Sequence, residues 1–394
     1  MPTHPTQPSL RPMTEEERAR EHPARRPTLF QVAGTRYIHV STLDARPNGE
    51  VLMLAERQER HGLSGPVLIR RVHSPATSRR RHRLVEEVQR AYRLNHPAIA
   101  KVLLLTVKSG KPYVIMEYVD GPTLDGVLSL MALRRQPVST SFALYVGAEV
   151  ADALAYAHRL ADDHGARLGM IHRDVSPRNV SVGMGGEVKL THFGAAYTHL
   201  GGREETQGGL RKGDAAYTSP EYLSCLPLTP AADLFSLGLV LLELATGRHL
   251  FHAALERLAE PPPWRQRAPV EDVEEEPSLP LTHLMMWLDA YTPDDVEKAT
   301  AGLPEGFRAA LRKALRKPAA ERYTTAEDMR DVLRECLVQV REASGGRPYG
   351  RKEAAEELAR LITGASQNRD ERFFSSGLEA HELGAATPAV TTEP

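Results

Sequence analysis

The sequence predicts an α+β protein in two parts: a small β-rich lobe with one helix, followed by a larger, mainly α lobe. Short apolar, β-branched runs crowd the first third of the chain, and apolar residues at helical spacing take over after Gly121. With 394 residues, 41% hydrophobic and 26% charged, the chain is also long enough to bury a sizeable core.

Residues 1–28 are polar and proline-spotted, without the apolar stretch of a secretory signal, and read as a mobile tail. Residues 29–120 form the small lobe, with strand candidates EVLMLAER (Glu50 to Arg57), PVLIRRV (Pro66 to Val72), IAKVLLLTV (Ile99 to Val107) and YVIMEYV (Tyr113 to Val119). One helix, about Ser78 to Leu94, interrupts them, with Leu84, Val88 and Ala91 on one face and a stop at Asn95-His96-Pro97. The basic run Arg79 to Arg83 at its start reads as a solvated face or, alternatively, a surface for an acidic partner.

Residues 121–343 carry the long helices: Thr140 to Leu160, Pro230 to Gly247 and Thr324 to Val340. Thr229 with Pro230 resembles an N-cap and first-turn proline, Gly247 a stop, and Thr324 or Thr325 with Glu327 or Asp328 another start. Residues 252–304 look like an insertion, a proline-rich turn and acidic run before a helix containing Leu284, Met285, Trp287 and Leu288. Trp287 is expected to pack into the helical lobe, an exposed docking surface being the alternative. Residues 344–394 read as a mostly flexible tail with a short helix over 351–362, where Ala354, Leu358 and Leu361 share one side.

The formal charge of −1 supplies no field for nucleic acid or anionic lipid, so neither is expected as a partner. The longest apolar run, Leu234 to Ala245, is too short for the roughly 20 residues that cross a bilayer. Two distant cysteines, Cys225 and Cys336, make no metal cluster or disulfide framework, and a reducing cytoplasm is the expected location.

Between two of the helices stand IHRDVSPRNV (Ile171 to Val180), EVKLTHFG (Glu187 to Gly194) and GDAAYTSPE (Gly213 to Glu221), in that order. Together they resemble the protein-kinase signature set, over roughly Leu29 to Arg341. His172, Arg173, Asp174 and Asn179 match H-R-D-x-x-x-x-N, and Ser219-Pro220-Glu221 matches A-P-E after its first residue. Ser176 in H-R-D-V-S-P, and the preceding DDHGARLGMIHRD, resemble the bacterial eukaryotic-type (Hanks-type) Ser/Thr kinases. The resemblance implies a two-lobed kinase fold in which Asp174 orients the attacking hydroxyl and Asn179 offers an amide oxygen to a metal. It also implies that Asp233 and Arg322 are structural, Arg322 as the partner of Glu221.

Other parts depart from the family. The metal loop D-F-G reads His192-Phe193-Gly194, so no ordinary Mg2+ site is expected and Asn179 is the one remaining metal ligand. V-A-I-K reads Val67-Leu68-Ile69-Arg70; the resemblance implies that Arg70 pairs with Glu87, a solvent-facing Arg70 being the alternative. Of the glycine-rich loop only Asn48 to Val51 aligns, leaving Gly49 and Val51 as its nucleotide-site residues. Met116 resembles the gatekeeper, and Glu117 to Val119 the strand whose backbone pairs with adenine. The expectation is a pseudokinase that binds ATP weakly at most and acts through a protein partner, a kinase or signalling complex; an active kinase with an unorthodox metal arrangement and a non-catalytic nucleotide sensor are the alternatives. Thr206, in the glycine-rich loop Ala195 to Lys212, is a candidate phosphosite opposite Arg173.

Overall fold

The protein is described by a computed structural model that covers residues 27–45, 51–59, 62–71, 88, 91–193, 215–224, 226–251 and 281–367. In the small lobe, strands β1 (Thr28–Val32), β2 (Thr35–Ala45), β3 (Val51–Glu59), β4 (Gly62–Arg71), β5 (Val102–Lys108) and β6 (Lys111–Glu117) form one antiparallel sheet, in the order β1-β2-β3-β4-β6-β5. β3 to β6 are the four strands expected; β1 and β2 were not foreseen. They are joined at Ala33 and Gly34, whose φ values of 48° and 83° close a tight turn.

Side chains alternate across this sheet, and the two faces pack separately. The outer face holds Tyr37, Met53, Ala55, Val67, Ile69 and Ile115. The inner face gathers Val114 and Met116 with Val88 of the small-lobe helix, and Leu52, Leu68, Leu105 and Val102 pack against them. Val102 also touches the core of the large lobe, so this inner face is the roof of the interlobe cleft.

The large lobe is built on α1 (Leu124–Arg134), α2 (Thr140–Arg159) and α4 (Ala231–Thr246), the short α3 (Pro220–Leu223) standing before α4. α2 and α4 are apolar nearly all round because both are central, a pattern reserved for buried helices. Ser139 caps α2 by accepting from the Phe142 N–H at 3.1 Å. α4 stops at Gly247, where φ is 69°. Its start corrects the expectation for Thr229: no side chain caps it, and the Thr229 backbone carbonyl accepts from Ala232 N–H instead.

α5 (Leu281–Ala290), α6 (Pro293–Ala299), α7 (Glu305–Ala314) and α8 (Ala326–Ala343) complete the lobe. Thr325 and Asp328 form a reciprocal capping box at the start of α8. Within α5, Leu288 is buried and Trp287 is half-buried, its ring centroid 6.3 Å from that of Phe251, whereas Met286 is 63% exposed. Residues 252–280 of the expected insertion lie outside the described residues. No helix among the described residues is long and apolar enough to cross a membrane.

The expectation of a mostly flexible tail after residue 343 is corrected as far as residue 367. A helix, α9 (Arg351–Gln367), runs five residues past the expected end and packs on the large lobe with Ala354, Leu358 and Leu361 buried. Its apolar spacing supplies the face, and specific polar contacts set the register. Glu357 accepts from Ser139 N–H at 2.6 Å and from the Ser139 and Tyr349 hydroxyls at 2.8 and 2.7 Å. Arg134 donates to the Arg360 and Leu361 carbonyls, both at 2.9 Å.

Candidate functional site

The floor of the cleft is a short hairpin, β7 (Val180–Val182) with β8 (Val188–Leu190). The loop 172–179 enters β7, and Thr191, His192 and Phe193 leave β8, so one hairpin presents both halves of the site. Its far turn is gripped from behind. Tyr145 donates to the Gly186 carbonyl at 3.0 Å, Arg351 of α9 donates to the Gly185 carbonyl at 2.9 Å, and Arg351 pairs with Glu187 at 3.0 Å. A side chain at Gly186 would place its Cβ 1.9 Å from the Arg351 carbonyl, so the helix approaches this turn only because residue 186 is glycine.

Asp233 of α4, fully buried, organises the loop. Its Oδ2 accepts from His172 N–H and from His158 Nε2, and its Oδ1 from Arg173 N–H, all at 2.8 Å. A carboxylate only accepts, so His158 carries its proton on Nε2. Burial would raise the Asp233 carboxyl, but the His158 hydrogen bond, the neighbouring imidazoles and the Arg173 N–H outweigh it and hold the carboxyl below its ordinary 3.8. His172 donates from Nε2 to the Thr191 carbonyl at 2.8 Å, which leaves Nδ1 to accept Asp174 N–H at 3.3 Å. That is a neutral imidazole, and burial pushes it below its ordinary 6.5. Arg173 is thereby held at φ 68°, an uncommon conformation for a residue with a side chain.

Asn179 donates from Nδ2 to the Asp174 carbonyl at 2.7 Å, a bond its amide oxygen takes no part in. Facing it across the hairpin is His192, at φ 67°. Thr191 donates its one hydroxyl proton to the Asn179 carbonyl at 3.1 Å, so the 2.7 Å contact with His192 Nδ1 requires that nitrogen to donate. The His192 ring is thus tied back to its neighbour. Phe193 is buried edge-on against His172, ring centroids 4.5 Å apart at 79°. The donor set suits Mg2+ poorly: one amide oxygen and one imidazole stand where a hard cation needs oxygens, and a protonated imidazole would repel it. Among the described residues no group of three or more His, Cys, Asp or Glu could hold a metal ion.

On the roof, Arg70 is 9% exposed, which removes the solvent-facing alternative; its expected partner Glu87 lies outside the described residues. So do Gly49, Gly194 and Thr206, along with the basic run from Arg79 to Arg83. Val51 requires a correction. It packs with the outer-face cluster, because β3 pairs with β4 as Val51 with Arg71 and Leu52 with Arg70, and the cleft-facing residue is therefore Leu52. Met116, the expected gatekeeper, is buried on the inner face. The Glu117 carboxylate pairs with Lys189 at 2.8 Å and accepts Lys101 N–H at 3.0 Å, and its own N–H donates to the Lys101 carbonyl at 2.8 Å, so neither its side chain nor its N–H is left to a nucleotide. Val119 is buried and its carbonyl accepts from Gly121 N–H at 3.0 Å.

Away from the cleft, Arg322 forms a bidentate pair with Glu221 at 2.7 and 2.8 Å, both residues buried. Its remaining donors reach the carbonyls of Ala231, Arg316 and Lys317, and its guanidinium lies 4.8 Å from the Phe235 ring centroid. Sequence reasoning missed His158, Thr191 and Lys189. His158 lies on the apolar-face spacing of α2 and reads there as one more packing residue.

A β-rich lobe over a helical one, with an H-R-D loop pinned to a buried aspartate at the cleft floor, defines the two-lobed protein-kinase fold. The family model described as "Protein kinase domain" matches residues 57–339, and the chain belongs to that family. Among its relatives, the tyrosine-protein kinase MasK of Myxococcus xanthus is 28% identical over 265 residues, 67% of this chain and 37% of that protein. The serine/threonine-protein kinase PknB of Mycobacterium tuberculosis is 32% identical over 262 residues, 64% of this chain and 35% of its own length. PknK of Mycobacterium bovis, also a serine/threonine-protein kinase, is 33% identical over 252 residues, 63% of this chain and 19% of that protein. The chain thus spans little more than a third, or less, of these relatives. The crystal structure of the Mycobacterium tuberculosis PknI kinase domain superposes with a TM-score of 0.50 at 23% identity, covering 79% of this chain and 99% of that one, which shows the shared fold.

Proposed function

We propose that this protein is a kinase-like regulatory protein that works in signalling inside the cell by binding a protein partner, and that it transfers phosphate very weakly or not at all. The observation that carries this reading is His192, an imidazole tied to Thr191 at the position where the family places its metal-bridging carboxylate. Arg70 in place of the phosphate-contacting lysine supports it, since a planar guanidinium does not substitute for a compact ammonium charge. Loss of each such charge-stabilising group costs roughly 100- to 1,000-fold in turnover, so the two together leave little. ATP binding is weak in this reading, Mg2+ has no ordinary site, and neither nucleic acid nor membrane is a partner.

The test is incorporation of label from γ-labelled ATP into generic protein substrate, wild type beside Asp174→Ala. No Asp174-dependent incorporation is expected; brisk incorporation that Asp174→Ala abolishes would replace this reading with that of an active kinase. The observation favouring that second reading is the intact loop, with Asn179 bonded to Asp174 and His172 neutral beneath it. A protein that gains thermal stability with ATP but incorporates nothing would be a nucleotide sensor.

A further inference from the structure

The roof residues that face the cleft raise a question separate from phosphate and metal: what fits against them. Leu68 pairs with Leu54 on β3 and with Met116 on β6, two residues before Arg70 and therefore on the same face. The packing agrees, since Leu68 lies with Leu52 against Val88, Val114 and Met116, while Val67 and Ile69 lie in the outer cluster. Because Val67 pairs with Glu117, the last residue of β6, Leu68 stands at the end of the cleft where Glu117 to Val119 leave the sheet.

In V-A-I-K this position is an alanine, and a leucine adds three carbons to the space below the sheet. We propose that Leu68 closes the nucleobase end of the cleft, so that the protein refuses a purine before any phosphate or metal contact is considered. The inference rests on the kinase-like reading of the cleft given above and deepens it by assigning the refusal to one side chain. Leu68 already packs, beside Leu52, against the Val88, Val114 and Met116 cluster, so a flat polar ring entering there must displace a formed apolar cluster. Inserting bulk into a packed site of this kind costs about tenfold or more in affinity.

The probe is adenosine, which needs neither metal nor phosphate contacts, titrated by calorimetry into the full chain as wild type, Leu68→Ala and Leu68→Val. Wild type is expected to show no binding at millimolar adenosine, Leu68→Ala to bind at least about tenfold more tightly, and Leu68→Val to fall between. Leu68→Met, which keeps the volume, should behave as wild type. If Leu68→Ala does not fold, Leu68→Val carries the same comparison. Equal binding by wild type and the smaller variants overturns the inference, as does absence of binding in every variant that folds. The two readings fail separately: adenosine binding by a wild type that incorporates no label removes only the role of Leu68, whereas label incorporation removes the regulatory reading itself.

Discussion

Below the cleft, Asp233 collects three hydrogen bonds at 2.8 Å and Arg322 with Glu221 closes two more at 2.7 and 2.8 Å. Above it, the inner face of the sheet presents Leu52, Leu68, Arg70 and Met116, joined by packing as much as by polarity. The two sides have been held to different standards. Removing one member of the lower network strands a buried charge, whereas Leu52, Leu68 and Met116 of the roof are held by apolar packing. A kinase fold can therefore keep its large lobe intact while the groups that meet phosphate are replaced.

The comparison breaks first at Arg322. Arg322→Ala leaves the Glu221 carboxylate buried and unpaired and should cost about 3–5 kcal/mol in urea unfolding. A loss within the scatter of ordinary surface substitutions would show that the lower network is not what holds the lobe. Next comes Leu358 of α9, 1% exposed. Leu358→Ala should cost about 2–5 kcal/mol, which would place α9 inside the cooperative unit of the large lobe; a second, earlier transition for α9 alone would place it outside.

Acid sharpens the comparison. His172 is held neutral below its ordinary 6.5, so the unfolded chain takes up a proton that the folded chain refuses, and stability falls as pH drops through 6.5. Asp233 lies below its ordinary 3.8, so its contribution is present above 3.8 and is lost as pH falls further. Each group contributes at most about 1.4 kcal/mol per pH unit. Urea unfolding of wild type should decline across the first window, and a His172→Asn variant should decline less, the remainder coming from His96, which burial also holds below its ordinary 6.5; identical profiles would detach His172 from the network. The smallest effect is expected at Thr325, where Thr325→Ala removes the α8 cap at a cost of about 1 kcal/mol, read as a small drop in Tm.

Much of the large lobe was legible because burial and period coincide: the pattern over Thr140 to Leu160 becomes α2, Thr140–Arg159, with one residue of difference. H-R-D and the metal loop meet at the β7–β8 hairpin, while Ser219-Pro220-Glu221 lies away from it, held by Arg322. The small lobe was harder. β1 is a half-exposed edge strand with a register shift between Thr28 and Phe30, so neither a clean alternation nor an apolar run announces it. Val51 was assigned the wrong face for a related reason: in a strand one residue of misalignment exchanges the two faces, and only pairing with Arg71 resolves it. His158 and Thr191 were illegible because their roles exist only once α2, α4 and β8 have been brought together.

The grip of Arg351 on the turn at Gly185 and Gly186 has a mechanical corollary. α9 therefore clasps two parts of the lobe at once: its amino end holds the back of the hairpin whose other end carries Asn179 and His192, and its middle holds α1 and the start of α2 through Arg134 and Ser139.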